Sequence, residues 1–222
     1  MTTPQCGLLY HFTHLDNLGD LLDLGALLSD TEVRNASLLS VEAGHQGIKD
    51  RRRRVPVSCE PGGVVADYVP FYFSARSPMM YSLWRGNVPT FTGTVEDLVY
   101  LVTDVPTLVA ANMSCVFSDR NAAVAFADFS NDVAVLGDLA SNSPQSDFVD
   151  WDLMKSRQWN TTEQHPDRME RRMAEALVYE QMPLELLRGV GVVDERRKSL
   201  VEQMFDDAGY DIPTVVRPDW YY

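Results

Sequence analysis

Near the start of the chain stands Leu8-Leu9-Tyr10-His11-Phe12-Thr13-His14-Leu15, a stretch in which apolar and polar residues partly alternate. Alternation with a period of two is typical of a β-strand. A helix is predicted to follow, with Asp16 as its N-cap and Gly25 as its stop. The apolar face of this helix would consist of Leu18, Leu21 and Leu22. The domain therefore opens on a strand that leads directly into an amphipathic helix.

The strand and helix patterns further along the chain do not alternate regularly. Residues 40–54 predict a loop that passes into a polar helix ending near Pro56. More strands are predicted at residues 69–73, 97–102, 114–117, 175–179 and 214–216, and more helices at residues 79–84, 120–127, 151–156 and 194–207. This irregular order favours an α+β fold with a mainly antiparallel sheet.

Two stretches add detail to this predicted order of strands and helices. Pro70 lacks an N–H group, which places the strand at 69–73 at a sheet edge or makes the proline its beginning. Residues 131–149 are rich in Asn, Asp, Ser and Gly and are interpreted as a surface loop rather than a linker between domains.

Length and composition limit the class of protein. A chain of 222 residues with 45% apolar residues suits one sizeable core, so residues 1–222 are predicted to form a single domain. No run of 18 or more apolar residues occurs, and residues 1–10 lack the basic start and long apolar stretch of a signal peptide. We therefore expect a cytoplasmic protein without membrane insertion.

The cysteines and histidines do not have the spacing of a metal site. Cys6, Cys59 and Cys115 are odd in number and contain no CxxC pair. His11 and His14 share one apolar stretch, whereas the other two histidines, His45 and His165, lie far away in sequence. We predict buried thiols and no metal ion.

Charge argues against a protein that coats nucleic acid. The formal net charge is −13, and neutralisation of phosphates by Lys and Arg supplies most non-specific affinity for nucleic acids. Basic residues are nevertheless clustered at 49–54, and because only three of the 19 basic residues are lysine, 16 are arginine. Arginine has a planar fork that binds phosphates and stacks on bases. The cluster is either a local phosphate site or a solvated run of charge.

Several common catalytic motifs are missing from the sequence. It contains no GxxxxGK[ST] phosphate loop, no GxSxG turn and no HExxH helix. Gly189-Val190-Gly191 lacks the third glycine of a dinucleotide-binding fingerprint. Any chemistry must come from dispersed Arg, His, Tyr and Glu residues.

The dispersed residues fall in blocks that resemble a known family. Tyr10-His11-Phe12-Thr13-His14-Leu15-Asp16-Asn17-Leu18 closely resembles the opening of the DarT family of DNA ADP-ribosyltransferase toxins. Further blocks resemble the family in the same order along essentially the whole chain: Ile48-Lys49-Asp50-Arg51-Arg52, Pro61-Gly62-Gly63, Asp67-Tyr68-Val69-Pro70-Phe71-Tyr72-Phe73, Arg76-Ser77-Pro78-Met79, Phe117-Ser118-Asp119-Arg120, Asp150-Trp151, Ala174-Glu175-Ala176-Leu177-Val178-Tyr179 and Asp219-Trp220-Tyr221-Tyr222.

This resemblance implies a fold and a set of site residues. The fold is the split antiparallel sheet of ADP-ribosyltransferases, with NAD⁺ as co-substrate in the cleft between its halves. By the family's pattern Glu175 is the catalytic glutamate and Arg52 the essential arginine of the segment that covers NAD⁺. His11 and Thr13 contact NAD⁺ from the first strand, and Tyr72 is a candidate to stack on it. Asn121 departs from the pattern, since it stands where some relatives have histidine, which leaves base contacts near 117–121 unassigned.

The residue types suit this chemistry. Positive charge develops on the ribose when the nicotinamide bond breaks, and a carboxylate such as Glu175 stabilises it. Arg52 would clamp the pyrophosphate or lie near the acceptor base, where its charge would favour deprotonation of thymine N3. Without the resemblance, Glu175 would be interpreted as a solvent-facing strand residue and His11 as a core histidine.

The acceptor and the partner are expectations of the same kind. Single-stranded DNA is the expected acceptor because the N3 edge of a paired base is inaccessible. A macrodomain antitoxin that removes the modification is the expected partner. The alternatives are transfer to guanine, RNA or protein, and a nucleic-acid-binding module with an inactive cleft. Intact Glu175 and Arg52 count against the inactive module.

Overall fold

A computed structural model describes residues 7–36, 38, 41, 44, 46–141 and 143–222. Its strands are β1 Leu8–His14, β2 Ala26–Leu28, β3 Tyr68–Tyr72, β4 Leu98–Asp104, β5 Cys115–Ser118, β6 Phe129–Ser130, β7 Glu175–Tyr179, β8 Gln181–Pro183, β9 Gly189–Val192 and β10 Thr214–Val216. Its α-helices are α1 Leu18–Leu24, α2 Asp30–Asn35, α3 Gln46–Arg52, α4 Pro78–Trp84, α5 Val105–Ala110, α6 Trp151–Lys155, α7 Arg168–Arg171 and α8 Glu195–Asp207.

Eight of these strands form one sheet in the order β10-β9-β4-β1-β3-β7-β5-β6, and β2 and β8 form a separate pair. Neighbouring strands of the large sheet are antiparallel except β9 and β10, which are parallel. Helices surround the sheet. The predicted α+β class with a mainly antiparallel sheet is confirmed.

The sheet is split between β1 and β3. Strand β1 pairs with β4 along its whole length, and β3 pairs with β7 along its whole length. Between β1 and β3, however, the only residues in register are Tyr10 and Tyr72. The two half-sheets therefore diverge from this point and leave a cleft.

Pro70 explains where the strands part. Its carbonyl oxygen faces β1 and accepts a hydrogen bond from Nδ1 of His11 at 2.8 Å. In an antiparallel strand the N–H and C=O groups of one residue point to the same side, so the donor that proline lacks would also have faced β1. The prediction of an edge strand is wrong for the strand order, since β3 is central, but Pro70 does border an opening in the sheet.

Apolar side chains cover both faces of the sheet. Leu9, Val69 and Phe71 belong to the larger cluster, and Tyr100 and Trp220 to a second one. The second cluster explains the glycines of β9, which was not predicted as a strand. A Cβ atom on Gly191 would lie 2.2 Å from the ring of Trp220, so only glycine fits there.

Two predicted helix features are wrong. Residues 120–127 form turns instead of a helix, because the side chain of Asn121 accepts a hydrogen bond from Ala123 N and thereby closes a local turn. Asp16 is not a cap: its own N–H donates to His14 Nδ1 in a short 3₁₀ turn, and α1 begins after Asn17.

The remaining outline agrees with the structure apart from one stretch. Helix α1 ends at Gly25, whose φ of 69° is left-handed, as predicted. Within the predicted surface loop at 131–149, Leu136 and Val149 are fully buried, so this segment contributes to the core. Across the described parts of the chain, no helix has the length and apolar character needed to span a bilayer.

Candidate active site

The cleft between the half-sheets brings together residues from distant parts of the chain. It has a volume of about 280 Å³ and one apolar wall. That wall consists mainly of Leu21, Leu24, Leu27, Leu28 and Val33. Four predicted site residues line the cleft, namely His11, Thr13, Arg52 and Tyr72. Glu175 is not at its surface.

Glu175 lies behind Arg52, at the first residue of β7. Its side chain is 0% exposed, whereas that of Arg52 is 14% exposed. Nη1 of Arg52 donates to both carboxylate oxygens, at 3.0 and 2.9 Å. Nη2 of Arg52 is buried and has no hydrogen-bond partner in the described structure. The arginine thus neutralises a buried carboxylate and keeps a spare donor beside the cleft.

The backbone holds the Glu175 carboxylate from its other side. Oε1 accepts a hydrogen bond from the N–H of Ala122 at 3.1 Å. The backbone N–H of Glu175 itself donates to Oγ of Ser118 at 3.1 Å. The carboxylate is therefore fixed by β5 and the turns after it. These contacts were missed because a backbone donor leaves no trace in the sequence.

His11 is oriented by the carbonyl group of Pro70. A carbonyl oxygen only accepts, so Nδ1 of His11 carries the proton and Nε2 of the neutral ring is an acceptor. Burial lowers the pKa of His11, and the nearby Arg52 contributes in the same direction. A neutral imidazole thus lines the cleft at pH 7.

The pH dependence of stability provides a test of this state. The unfolded chain protonates histidine below about pH 6.5, while the folded protein resists protonation of His11 because its pKa is depressed. Stability should therefore be lost as pH falls below about 6.5, by up to about 1.4 kcal/mol per pH unit from this group. His11→Asn keeps a donor for Pro70 without titrating. Urea unfolding between pH 7.5 and 5.5 should be less pH-dependent in the variant, and identical slopes would contradict the assignment.

Asn17 holds Val41, which lines the cleft, a role that was not predicted. Its side chain accepts from the N–H of Val41 at 2.7 Å and donates to the Val41 carbonyl at 3.0 Å. It also donates to Oγ1 of Thr13 at 3.0 Å. Thr13 therefore faces the cleft with its hydroxyl oriented by a buried amide.

Tyr72 pairs with a second aromatic side chain at the cleft. Its ring is stacked with that of Phe12, with centroids 6.3 Å apart and an interplanar angle of 22°. Burial, and then the charge of Glu175, hold the pKa of Tyr72 far above its usual range. The phenol is therefore a protonated donor at physiological pH. Register places Tyr72 directly opposite Glu175 on β3 and β7.

The basic run at 49–54 is divided between the cleft and the surface. Arg52 faces the cleft. Asp30 pairs with Lys49 at 3.0 Å and with Arg53 at 2.7 Å. Arg54 is exposed and donates to a backbone carbonyl of its own helix. The run is thus one inward guanidinium among largely neutralised or solvated neighbours.

The described residues show no metal-binding arrangement. No group of three or more His, Cys, Asp or Glu side chains converges within that part of the chain. Cys59 and Cys115 are half-buried free thiols, and burial raises the pKa of Cys115 to about 12. Cys6 and His45 lie outside the described residues.

The sheet is antiparallel and split, a buried glutamate stands at the start of one strand, and an arginine in the cleft binds that glutamate. This is the arrangement of an ADP-ribosyltransferase-type enzyme. Comparison with known proteins identifies the family. The family model described as "ssDNA thymidine ADP-ribosyltransferase, DarT" matches residues 10–222. The chain therefore belongs to the DarT family, as the resemblance predicted.

Individual relatives agree with this membership. The chain is 34% identical to a DNA ADP-ribosyl transferase of Mycobacterium tuberculosis over 222 residues, which cover 99% of the chain and 90% of the relative. It is similar to the structure of Thermus sp. 2.9 DarT in complex with ADP-ribosylated ssDNA, with TM-score 0.85, 31% identity and coverage of 100% and 99%. The structure of the same Thermus protein in complex with NAD⁺ has TM-score 0.81 and 29% identity, and both chains are covered completely.

Proposed function

We propose that this enzyme transfers ADP-ribose from NAD⁺ to N3 of thymine in single-stranded DNA, with Glu175 and Arg52 at the centre of the reaction. The observation that carries the proposal is the contact of Arg52 Nη1 with both oxygens of a fully buried glutamate at the base of the split. The family description and the Thermus complexes with NAD⁺ and with ADP-ribosylated DNA support the substrates.

The residues of the cleft suit a dinucleotide. Nη2 of Arg52 is a buried donor that lacks a partner, which a phosphate or hydroxyl oxygen would supply. Nε2 of His11 offers an acceptor, and Tyr72 and Phe12 offer aromatic surface. The volume of about 280 Å³ is close to the lower end of the range of small-molecule pockets, about 300 Å³.

NAD⁺ supplies an ADP-ribose whose bond to nicotinamide is already polarised. Glu175 places a negative charge beside the ribose on which positive charge develops, and its oxygens also accept from a ribose hydroxyl. Ala122 N and Ser118 Oγ keep the carboxylate and its backbone in place without reorganisation. Arg52 must release the carboxylate before the ribose can approach it.

Arg52 also acts on the acceptor base, thymine. The N3 atom of thymine is neutral at pH 7 and must lose its proton, which passes to solvent, as the new bond to ribose forms, the nicotinamide–ribose bond breaks and nicotinamide leaves. A guanidinium next to that nitrogen favours its anionic form. Because Arg52 contacts Glu175 directly and has a second nitrogen without a partner, we assign it both to the pyrophosphate and to the incoming base.

Whether the DNA is single-stranded or in a duplex determines whether the enzyme can reach the base. We expect a thymine-containing single strand to be modified and the same sequence annealed into a duplex to be nearly inert. Unpairing costs a few kcal/mol. A protein with net charge −13 has little general affinity for DNA to offset that cost. Mass spectrometry after incubation with NAD⁺ at fixed salt would detect the gain of one ADP-ribose.

Matched strands decide among the alternative acceptors. A thymine-free strand should remain unmodified. Its labelling at guanine would move transfer to guanine into first place, and labelling of RNA or of added protein alone would exclude DNA as the acceptor. Equal labelling of duplex and single strand would contradict the access argument. Complete absence of labelling would favour the inactive nucleic-acid-binding module.

The cellular role follows from the same proposal. A DNA-modifying transferase of the DarT family acts as the toxin of a toxin–antitoxin pair, and its partner would be a DarG-like macrodomain that removes the ADP-ribose. NAD⁺ and transiently single-stranded chromosomal DNA meet in the cytoplasm, where we place the reaction.

We also propose that residues 1–222 form one domain, since β1 and β10 belong to the same eight-stranded sheet.

A further inference from the structure

We propose that an aromatic platform beside the cleft stacks on nucleotides that flank the modified base. The aromatic platform consists of Tyr81, Trp84, Trp159 and Tyr222. None of these four residues lines the cleft or contacts the Arg52–Glu175 pair. The inference rests on the proposed function, because it concerns the path of the DNA strand as it leaves the site.

The platform is held rigid by its own contacts. The ring of Tyr81 lies 5.1 Å from that of Tyr222, 5.4 Å from Trp159 and 5.7 Å from Trp84, measured between centroids. Nε1 of Trp159 donates to Oη of Tyr222 at 2.8 Å. Oη of Tyr222 donates in turn to the carbonyl of Arg76 at 3.4 Å. Preorganised rings lose little conformational entropy when a base stacks on them.

The polypeptide connects the platform to the cleft on two sides. Met79, in the first turn of α4, lines the cleft, and Trp84 follows five residues later, about 7.5 Å along the helix axis. On the other side, Met173 lines the cleft. The preceding Arg172 is buried and donates to the carbonyl of Arg76 at 3.2 Å. A strand whose base enters the cleft would thus pass the platform with its neighbouring nucleotides.

Two arginines give the platform the charge that a nucleic acid requires. The Cζ atom of Arg76 lies 4.1 Å from the ring centroid of Tyr222, and that of Arg85 lies 5.6 Å from Trp84. Within the described ranges, neither guanidinium has a carboxylate at ion-pair distance, whereas Arg53 is bound by Asp30. In a chain of charge −13, this is local charge available to phosphates.

Exposure indicates that the platform has a free stacking surface. The Trp84 side chain is 46% exposed, although a large indole is rarely left in solvent without a partner. Aromatic rings next to unpaired arginines are the combination by which proteins bind single strands without reading base edges. A flat apolar protein partner would not require the two unpaired guanidinium groups. The chemistry therefore favours single-stranded DNA as the occupant.

The test compares binding of a long strand with binding of a single nucleotide. Fluorescence anisotropy without NAD⁺ would measure, at fixed salt, the Kd of a labelled twelve-nucleotide strand with one central thymine and that of labelled thymidine monophosphate, which has no flanking nucleotides. Trp84→Ala should weaken binding of the long strand on the order of 10-fold, since one stacked base contributes about 1–3 kcal/mol. Thymidine monophosphate should bind to Trp84→Ala as it does to wild type.

Two variants serve as controls. Trp84→Phe retains a stacking ring and should restore most of the affinity. Leu200→Ala truncates a residue of similar exposure, 45%, on α8 and should have no effect. Wild-type affinity of Trp84→Ala for the long strand would overturn the platform and leave the surface to a protein partner. Equal losses for the strand and for thymidine monophosphate would also overturn it, because the residue would then act on the cleft. If the wild-type enzyme modifies no DNA, the proposed function fails, whereas the binding result judges the platform separately.

Discussion

Glu175→Gln should keep the native fold, with a lower free energy of unfolding because Arg52 loses its buried carboxylate partner, and should lose transferase activity, with kcat lower on the order of 10²-fold or more. Glutamine keeps the volume of the side chain and an oxygen that accepts the hydrogen bond from Ala122 N. It removes the negative charge that stabilises the ribose in the transition state. The loss should therefore appear in kcat rather than only in KM, because the charge matters most after substrates are bound.

The measurement is single-turnover transfer to a thymine-containing strand, accompanied by thermal unfolding. Glu163→Gln is the matched control, since Glu163 is exposed and the substitution is chemically identical. A folded Glu175→Gln protein with near wild-type turnover would remove Glu175 from the mechanism. Thermal unfolding of the same sample would show whether the variant is folded, so a loss of activity could be separated from a loss of structure.

Arg52→Ala should reduce transfer on the order of 10²-fold or more, while Arg54→Ala should have little effect. Arg52 is the guanidinium that contacts the buried carboxylate, whereas Arg54 is exposed. Removal of Arg52 also leaves Glu175 without its ionic partner, which costs about 3–5 kcal/mol for a buried pair. Urea unfolding should detect that cost in Arg52→Ala and not in Arg54→Ala.

Arg52→Lys separates stability from catalysis. Lysine keeps a positive charge near Glu175, so most of the stability should return, but it lacks the second guanidinium nitrogen that is buried beside the cleft without a partner. Activity should remain low. If Arg52→Ala and Arg54→Ala impair transfer equally and weaken its salt dependence together, the run at 49–54 acts as a diffuse electrostatic patch.

Local sequence patterns predicted most strands of the large sheet. The limits of β7 and β10 agree with the prediction at both ends. Strand β9 was missed because its glycines disfavour a strand locally, and Gly191 is required only by the ring of Trp220, 29 residues later in the sequence. The predicted helix at 120–127 failed for a different reason. Its alanines favour a helix, but the side chain of Asn121 closes a local turn with Ala123 N.

The candidate site was predictable through the resemblance more than through pattern. Pattern alone predicted a solvent-facing Glu175, and the structure shows a fully buried one. His11, Thr13, Arg52 and Tyr72 all line the cleft, and their contact with NAD⁺ stays a prediction. Asn17 could not be predicted, because its role is to hydrogen-bond the backbone of Val41 across 24 residues.

Pro70 in β3 determines whether the two half-sheets could pair with each other when no ligand lies in the cleft. Continued in the register of Tyr10 and Tyr72, the ladder would place Pro70 opposite Phe12. The carbonyl of Phe12 would then need a donor that proline does not have. The two half-sheets therefore cannot form a continuous hydrogen-bond ladder. An open seam with unpaired strand groups is ordinarily a site for further strand pairing. Here Pro70 disfavours that pairing by its covalent structure, so the seam does not need a bound ligand to stay open.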